Sequence, residues 1–249
     1  MSPRWSRPPE KLRLLRDRVH IWRASLEMRP SELERLRGTL DSGEAARAAR
    51  LVFEKDRQHF VAARGILRNI LGRYLEREPA ELQFSSNSSG KPALAPGSGL
   101  DELRFNLSHS HGLALYAISW NREVGIDIEL IQPQLAEERI AERFFSPREV
   151  AALRALPREL QAEGFFNCWT RKEAYIKARG QGLGIPLASF DVSLAPGEPP
   201  TLLSVRDSME DGTRWSLQAF EAAPGFPAAV AAEGESRQLE FWQWELLPQ

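Results

Sequence analysis

Glu123-Val124-Gly125-Ile126-Asp127-Ile128-Glu129-Leu130 alternates apolar and polar side chains from Val124 onward, and its β-branched Val124, Ile126 and Ile128 are strand formers. A period of two puts Asp127 and Glu129 on one face. Carboxylates side by side repel each other, and a cation or basic partner between them relieves the repulsion. Magnesium is the natural cation, because it prefers oxygen ligands and is commonly held by one or two carboxylates together with substrate phosphates. The competing reading is the solvated outer face of an edge strand, where both carboxylates simply meet water.

Trp169-Thr170-Arg171-Lys172-Glu173-Ala174-Tyr175-Ile176-Lys177-Ala178-Arg179-Gly180 carries the other period. Trp169, Glu173 and Lys177 fall at i, i+4 and i+8, which lines up a ring, a carboxylate and an ammonium along one helix face, and Gly180 ends the helix. Glu173 offers a third oxygen to the pair on the strand. The plain alternative is a surface Glu-to-Lys pair, worth roughly 0.2–0.5 kcal/mol.

A third stretch, Arg104-Phe105-Asn106-Leu107-Ser108-His109-Ser110-His111-Gly112-Leu113 and on to Ser119, reads as strand, polar turn, strand. Ser108, His109 and Ser110 bring hydroxyl and imidazole groups to a strand end, a place to meet phosphate oxygens. A nucleophilic triad is the weaker idea, since Gly-x-Ser-x-Gly is missing and neighbouring strand side chains diverge. His111 and His20 receive no role. Upstream, Ser88-Ser89-Gly90-Lys91-Pro92 sets a lysine in a turn that can reach an anion, although the spacing is not that of a P-loop.

The chain of 249 residues, 42% hydrophobic, is long enough for one large or two medium domains. A mean hydropathy of -0.40 and the lack of an apolar run near 18 residues argue against a membrane span. Met1-Ser2-Pro3-Arg4-Trp5-Ser6-Arg7 lacks the apolar stretch of a secretory signal. The single cysteine, Cys168, excludes an intrachain disulfide, fits a reducing cytoplasm and is expected to be a packed thiol. Residues 1–77 hold 18 basic against 10 acidic residues, whereas the whole chain nearly balances at 33 against 34. That surplus points to an anionic partner, and nucleic acid is a poor one because the arginines are spread through amphipathic segments.

The coarse pattern is α+β. A strand is expected over 19–26, a capping box at Ser31-x-x-Glu34, two helices over 44–76, a loop over 85–101, and strands over 103–108 and 113–119. Asn121-Arg122-Glu123 is the expected boundary between a first half, residues 1–121, and a second, residues 122–249. A helix-rich insertion with Phe144 and Phe145 spans 136–156 and includes the capping box Ser146-Pro147-Arg148-Glu149. Strands follow near 189–194, 201–206, 214–221, 226–232 and 239–246, the last carrying Trp242 and Trp244.

Gly90-Lys91-Pro92, Phe105-Asn106-Leu107-Ser108-His109-Ser110, Gly125-Ile126-Asp127-Ile128-Glu129, Arg143-Phe144-Phe145-Ser146 with Glu149, and Trp169-x-x-Lys172-Glu173-Ala174-x-x-Lys177, in this order, resemble the 4'-phosphopantetheinyl transferase superfamily in its large, two-halved, surfactin-type class. The resemblance covers about residues 42 to 230. It implies two similar α+β halves with a site at their junction, and transfer of the phosphopantetheine arm of coenzyme A to a serine of an apo acyl, polyketide or peptidyl carrier protein, as in holo-[acyl-carrier-protein] synthase. By similarity Asp127, Glu129 and Glu173 bind magnesium; Lys177 and Lys91 neutralise pyrophosphate oxygens; Ser108 and His109 hold phosphate. The serine proton goes to Glu173 or to a water on the metal, with Glu173 favoured. A basic residue before the long helices is expected on the 3'-phosphate, Arg47 aligning best and Arg50 second. Glu44 departs from the pattern, standing where related chains often carry another cation. The region of Phe144 and Phe145 is expected either to receive the carrier or to be ordinary core. Two halves in one chain make a monomer sufficient. The rival functions are a non-catalytic coenzyme A-binding module and a magnesium-dependent nucleotide pyrophosphate hydrolase.

Overall fold

Arg18-Val19-His20-Ile21-Trp22-Arg23-Ala24-Ser25 forms β1 (Arg18–Ser25), and its two faces meet two different cores. Trp22 and Ala24 pack under helices, whereas Val19 and Ile21 turn toward a second sheet. The computed structural model describes residues 2–96, 102–137, 139–206, 211–235 and 238–246.

The chain continues through α1 (Pro30–Arg37), α2 (Ser42–Ala49) and α3 (Glu54–Leu75). The expected capping box starts two residues earlier than Ser31: Glu32 accepts from the Arg29 backbone N–H at 2.9 Å, because Pro30 needs no amide partner in the first turn. Two helices do occupy 44–76. The expected loop holds a short hairpin, β2 (Phe84–Ser86) paired with β3 (Pro92–Leu94), while residues 97–101 of that expectation lie outside the described residues. β4 (Leu103–Ser110) and β5 (Leu113–Trp120) follow, joined by His111 and Gly112, both at positive φ, a two-residue turn whose twist suits a hairpin and fixes its register.

In the second half come β6 (Val124–Ile128), α4 (Pro133–Glu137), α5 (Ile140–Phe144), α6 (Pro147–Ala155), α7 (Arg158–Arg179), β7 (Phe190–Val192), β8 (Leu202–Val205), α8 (Asp211–Arg214), β9 (Trp215–Ala223), β10 (Phe226–Glu233) and β11 (Gln238–Gln243). The insertion is helical, as expected. Phe145 is buried, and Phe144 meets Trp169 edge to face at 5.9 Å. Cys168 is buried, and the apolar surroundings push its thiol well up.

The strands make a sheet in the order β11-β1-β5-β4 and another in the order β6-β10-β9. α3 covers the outer face of the first sheet, with Ile66, Leu67 and Ile70 on Trp22, Tyr116 and Ile118. α7 covers the outer face of the second. Between the sheets Val19, Ile21, Leu115 and Ala117 meet Val124, Ile126, Ile128 and Val230. Strands buried on both faces explain why apolar residues crowd them. The final strand, β11, follows the second sheet in sequence yet pairs in parallel with β1.

Gly125 sets the distance between β6 and α7. A Cβ there would lie 2.2 Å from the Ala174 carbonyl oxygen and 2.2 Å from the Ala178 nitrogen. The helix backbone rests directly on the strand. Lys172, on the same helix, is wholly buried and donates to Glu149 at 2.8 Å, to the Leu187 carbonyl at 2.7 Å and to the Phe190 carbonyl at 2.6 Å. It is a structural ion pair, and Glu149 is the residue that closes the Ser146 capping box.

His20 is buried beside Tyr74. Trp22 donates to the Tyr74 hydroxyl at 2.9 Å, that hydroxyl is hydrogen-bonded to His20 Nδ1 at 2.7 Å, and the other ring nitrogen, Nε2, lies 3.1 Å from Glu240 Oε2. Burial takes the imidazole down to about 4, with the Arg18 charge assisting and Glu240 opposing.

Two outcomes follow from this packing. Gly125→Ala lowers stability by about 1–3 kcal/mol or more in urea unfolding, because backbone cannot move aside as a side-chain tip can. For His20, the unfolded chain takes up a proton between about pH 6.5 and 4 that the folded chain refuses. Stability therefore falls as pH falls through that window, by at most about 3 kcal/mol, and the difference between unfolding curves at about pH 7 and 4.5 shrinks in His20→Gln.

Candidate active site

Asn106, Ser108 and Ser110 alternate along β4 and point one way, toward β6, which belongs to the other sheet. No backbone ladder joins these two strands; side chains do. Asn106 Oδ1 accepts from the Ile126 N–H at 2.9 Å, Ser108 donates to Asp127 Oδ1 at 2.8 Å, and Ser110 donates to Glu129 Oε2 at 2.8 Å while accepting from the Leu130 N–H at 3.2 Å. The seam holds the two carboxylates of β6 in place.

From above, α7 lowers Glu173 and Lys177 toward this seam, while Trp169, two turns before Lys177 on the same helix, packs on Phe144, Phe145 and Phe165; all three are partly exposed. Lys177 Nζ donates to Asp127 Oδ1 at 2.6 Å and to Ser108 Oγ at 2.9 Å. Asp127 is 3% exposed, and its Oδ2 is buried without a hydrogen-bond partner. Burial raises the Glu129 carboxyl, and Asp127 raises it further. Glu173 is raised by the same two causes, opposed by Lys177. The solvated edge face considered from sequence is not what forms, because α7 covers it.

A divalent cation suits this corner. The unpartnered Asp127 oxygen offers a ligand, and the two raised carboxyls are destabilised anions that a cation would relieve. As they stand, no group of three His, Cys, Asp or Glu side chains among the described residues converges on one point, and the Lys177 ammonium supplies the countercharge to Asp127.

Next to the seam opens a cleft of about 970 Å³, lined among others by Arg47, Lys55 and Arg64, by the carboxylates Asp41, Glu44 and Asp56, and by His59, His109 and Ser110. Ser110 thus touches both cleft and carboxylates. Arg47 faces the cleft, its guanidinium 5.4 Å from the Phe60 ring, and Arg50 is absent from the lining. His109 is held below its ordinary pKa by burial, then by the charges of Lys177 and His59, and so enters the cleft as a neutral ring at pH 7. Glu44 does not oppose the cleft charge from open water. It accepts from Arg64 and from the fully buried Arg68, both at 2.6 Å, which ties α2 to α3.

Two expectations change. The Ser108 hydroxyl sits inside the Asp127–Lys177 pair, where it orients those two groups instead of facing phosphate. Lys91 does not line the cleft at all. Its ammonium is engaged by Glu123 Oε2 at 2.7 Å and the carbonyls of Val124 and Ala178 at 3.1 and 3.2 Å, beside a separate cavity of about 630 Å³. The structure also adds Lys55 and His59, one helical turn apart on α3 and both beside Glu27, and Asn106 of the seam, and it gives Ser110, expected to meet phosphate, the Glu129 carboxylate as its partner. The spacing of Asn106, Ser108 and Ser110 was the available signal for the seam.

Comparison with known proteins accords with this geometry. Residues 22–120 match the family model described as 4'-phosphopantetheinyl transferase, N-terminal, and residues 123–231 match that of the 4'-phosphopantetheinyl transferase superfamily. A relative from Nostoc sp., the 4'-phosphopantetheinyl transferase HetI, is 43% identical over 240 residues, covering 96% of this chain and 98% of its own. The 4'-phosphopantetheinyl transferase Sfp of Bacillus subtilis is 29% identical over 201 residues, covering 81% of this chain and 85% of its own. Among solved structures, the Helicobacter pylori holo-[acyl-carrier-protein] synthase in complex with coenzyme A aligns at 27% identity and a TM-score of 0.33 over 43% of this chain and 96% of that one. With likeness to HetI running nearly end to end and a family match on each side of residues 121–122, the chain belongs to the 4'-phosphopantetheinyl transferase superfamily.

Proposed function

We propose that this chain transfers the 4'-phosphopantetheine arm of coenzyme A to a serine of an apo acyl, polyketide or peptidyl carrier protein, a reaction of the holo-[acyl-carrier-protein] synthase type. The observation that carries this reading is the Ser108–Asp127–Lys177 cluster, set where two halves meet and beside a cleft that Ser110 of the same seam reaches and that Arg47, Lys55 and His109 line. We divide the halves at 1–121 and 122–249, the first forming the cradle for the nucleotide phosphates and the second supplying the carboxylates.

In this reading the serine oxygen bonds to the phosphorus that bears the pantetheine arm. The bond from that phosphorus to the bridging oxygen breaks, and adenosine 3',5'-bisphosphate leaves. Arg47 and His109 hold the 3'-phosphate side, Arg47 by charge and His109 as a hydrogen-bonding ring. Lys177 offsets pyrophosphate charge that would repel the incoming oxygen. Glu173 accepts the serine proton. Asp127, Glu129 and Glu173 would hold magnesium, which when bound would supply positive charge to offset that of the phosphate oxygens. The carrier approaches over the insertion that holds Phe144. The protein works as a monomer, in the cytoplasm, with neither nucleic acid nor membrane as partner; no helix among the described residues is long and apolar enough to cross a membrane.

Intact-protein mass spectrometry of apo carrier proteins incubated with this protein, coenzyme A and magnesium tests the reading. The expected result is a magnesium-dependent gain of one phosphopantetheine; no gain on fatty-acid, polyketide and peptide carriers, with coenzyme A still bound, would replace it by a binding module. Asp127→Ala is expected to cut transfer by about 10³-fold or more while the circular dichroism spectrum stays native, and near-normal turnover would remove Asp127 from the site. Arg47→Ala is expected to raise KM for coenzyme A about tenfold, roughly 1.4 kcal/mol, with a smaller effect on 3'-dephospho-coenzyme A.

A further inference from the structure

The turn from Asn87 to Lys91 touches both halves of the molecule. Its own shape is set by the Asn87 side chain, which accepts from the Ser89 and Lys91 N–H groups at 3.0 and 2.9 Å, with Gly90 at φ 81°. The same side chain donates to the Gly180 carbonyl at 2.6 Å, at the end of α7. The fit is close: a Cβ on Gly180 would lie 3.3 Å from Asn87 Nδ2 and 3.4 Å from Lys91 Cδ. On its other side the hairpin faces the 970 Å³ cleft through Ser86, Gly90 and Pro92.

Lys91 completes the fastening. The last carbonyls of a helix lack intrahelical partners and carry its partial negative charge, and the Ala178 carbonyl, next in sequence to Lys177, receives the Lys91 ammonium at 3.2 Å. A second contact takes the Val124 carbonyl at 3.1 Å, at the start of the strand that holds Asp127. A third is the 2.7 Å pair with Glu123, which also accepts from Arg104 of β4 at 2.9 Å. One ammonium thus grips α7, β6 and the link between the halves. Its side chain is mostly out of water, and burial lowers its pKa while Glu123 opposes the shift.

We propose that Lys91 is a positioning residue: from the β2–β3 hairpin it fastens the end of α7 to the start of β6, so that one group sets both a wall of the cleft and the placement of Lys177 against Asp127. This role rests on the transferase reading and departs from phosphate neutralisation, for which the ammonium would have to leave three partners. Glu123 shares the role, since it is the only charged partner of Lys91 among the described residues.

Lys91→Met, Glu123→Gln and the double variant test it, through steady-state transfer with coenzyme A and with 3'-dephospho-coenzyme A, and through urea unfolding. Each single variant is expected to lower kcat by about tenfold, with KM for coenzyme A changed by less than about threefold and the preference for the 3'-phosphate retained. The double variant is expected to fall no further than the worse single one, because both substitutions break the same fastening. A large rise in KM with loss of preference for the 3'-phosphate in Lys91→Met, and a normal Glu123→Gln, would make Lys91 a phosphate ligand and overturn the proposal. So would lower stability in urea with kcat unchanged, which is a structural role alone. Failure of the wild-type protein to modify any carrier would instead count against the transferase reading. In that case coenzyme A calorimetry decides: a shift of the same size, within about threefold, in both single variants and in the double one supports the shared fastening, and weakened binding confined to Lys91→Met, or binding unchanged in all of them, overturns it.

Discussion

The missing side chain at residue 125 is the constraint on which the active corner depends. A strand and a helix normally keep side chains between them, but here the α7 backbone at Ala174 and Ala178 occupies the place a Cβ would take. That contact brings Lys177 within 2.6 Å of Asp127 and leaves little room for water beneath the helix. The same closeness raises the carboxyls of Glu129 and Glu173, because an ion stripped of water is costly unless something nearby offsets its charge. A structural economy at one glycine thus becomes an electrostatic property of two acidic groups, Glu129 and Glu173.

The seam between β4 and β6 is the second element of the design. Two sheet edges that face each other could join by backbone hydrogen bonds, and the halves would then form one continuous sheet. Here Asn106, Ser108 and Ser110 intervene, and their short polar side chains each serve a backbone or carboxylate group of the opposite strand. Such side-chain bridges satisfy the buried polar groups while leaving each carboxylate with unused acceptor capacity, which a continuous sheet would not place at the junction.

Much of this was legible in the sequence, for local reasons. The period of two in Val124–Ile128 and the 3.6-residue period around Glu173 and Lys177 located the strand, the helix and their shared carboxylates, because both repeats survive in strongly amphipathic or doubly buried elements. Ser146 and Glu149 cap α6 as their spacing indicated, while Phe144 ends α5 and Phe145 is an extended residue between the two helices. The destinations of long side chains were less legible. Lys91 sits in the turn that its Gly and Pro neighbours announce, yet the direction of its ammonium is decided by Glu123 and two carbonyls that come from the second half. Ser108 and Glu44 are similar: their partners lie 19 to 69 and 20 to 24 residues away, so no local pattern could reveal them. The short β2–β3 hairpin was hidden by its own length, three residues to a strand.

The parallel pairing of β11 with β1 bears on how the molecule is made. During synthesis β1 leaves the ribosome about 220 residues ahead of the strand that will flank it. Until then, Arg18–Ser25 can pair with β5 on one side but offers a bare edge on the other, the kind of surface that recruits strands from neighbouring chains. The early part of the chain therefore emerges with its sheet unfinished and depends on the last described strand to close it. Maturation is tied to the emergence of β11, and a nascent chain halted after β10 would be a ready client for chaperones even though both long helices had already been made.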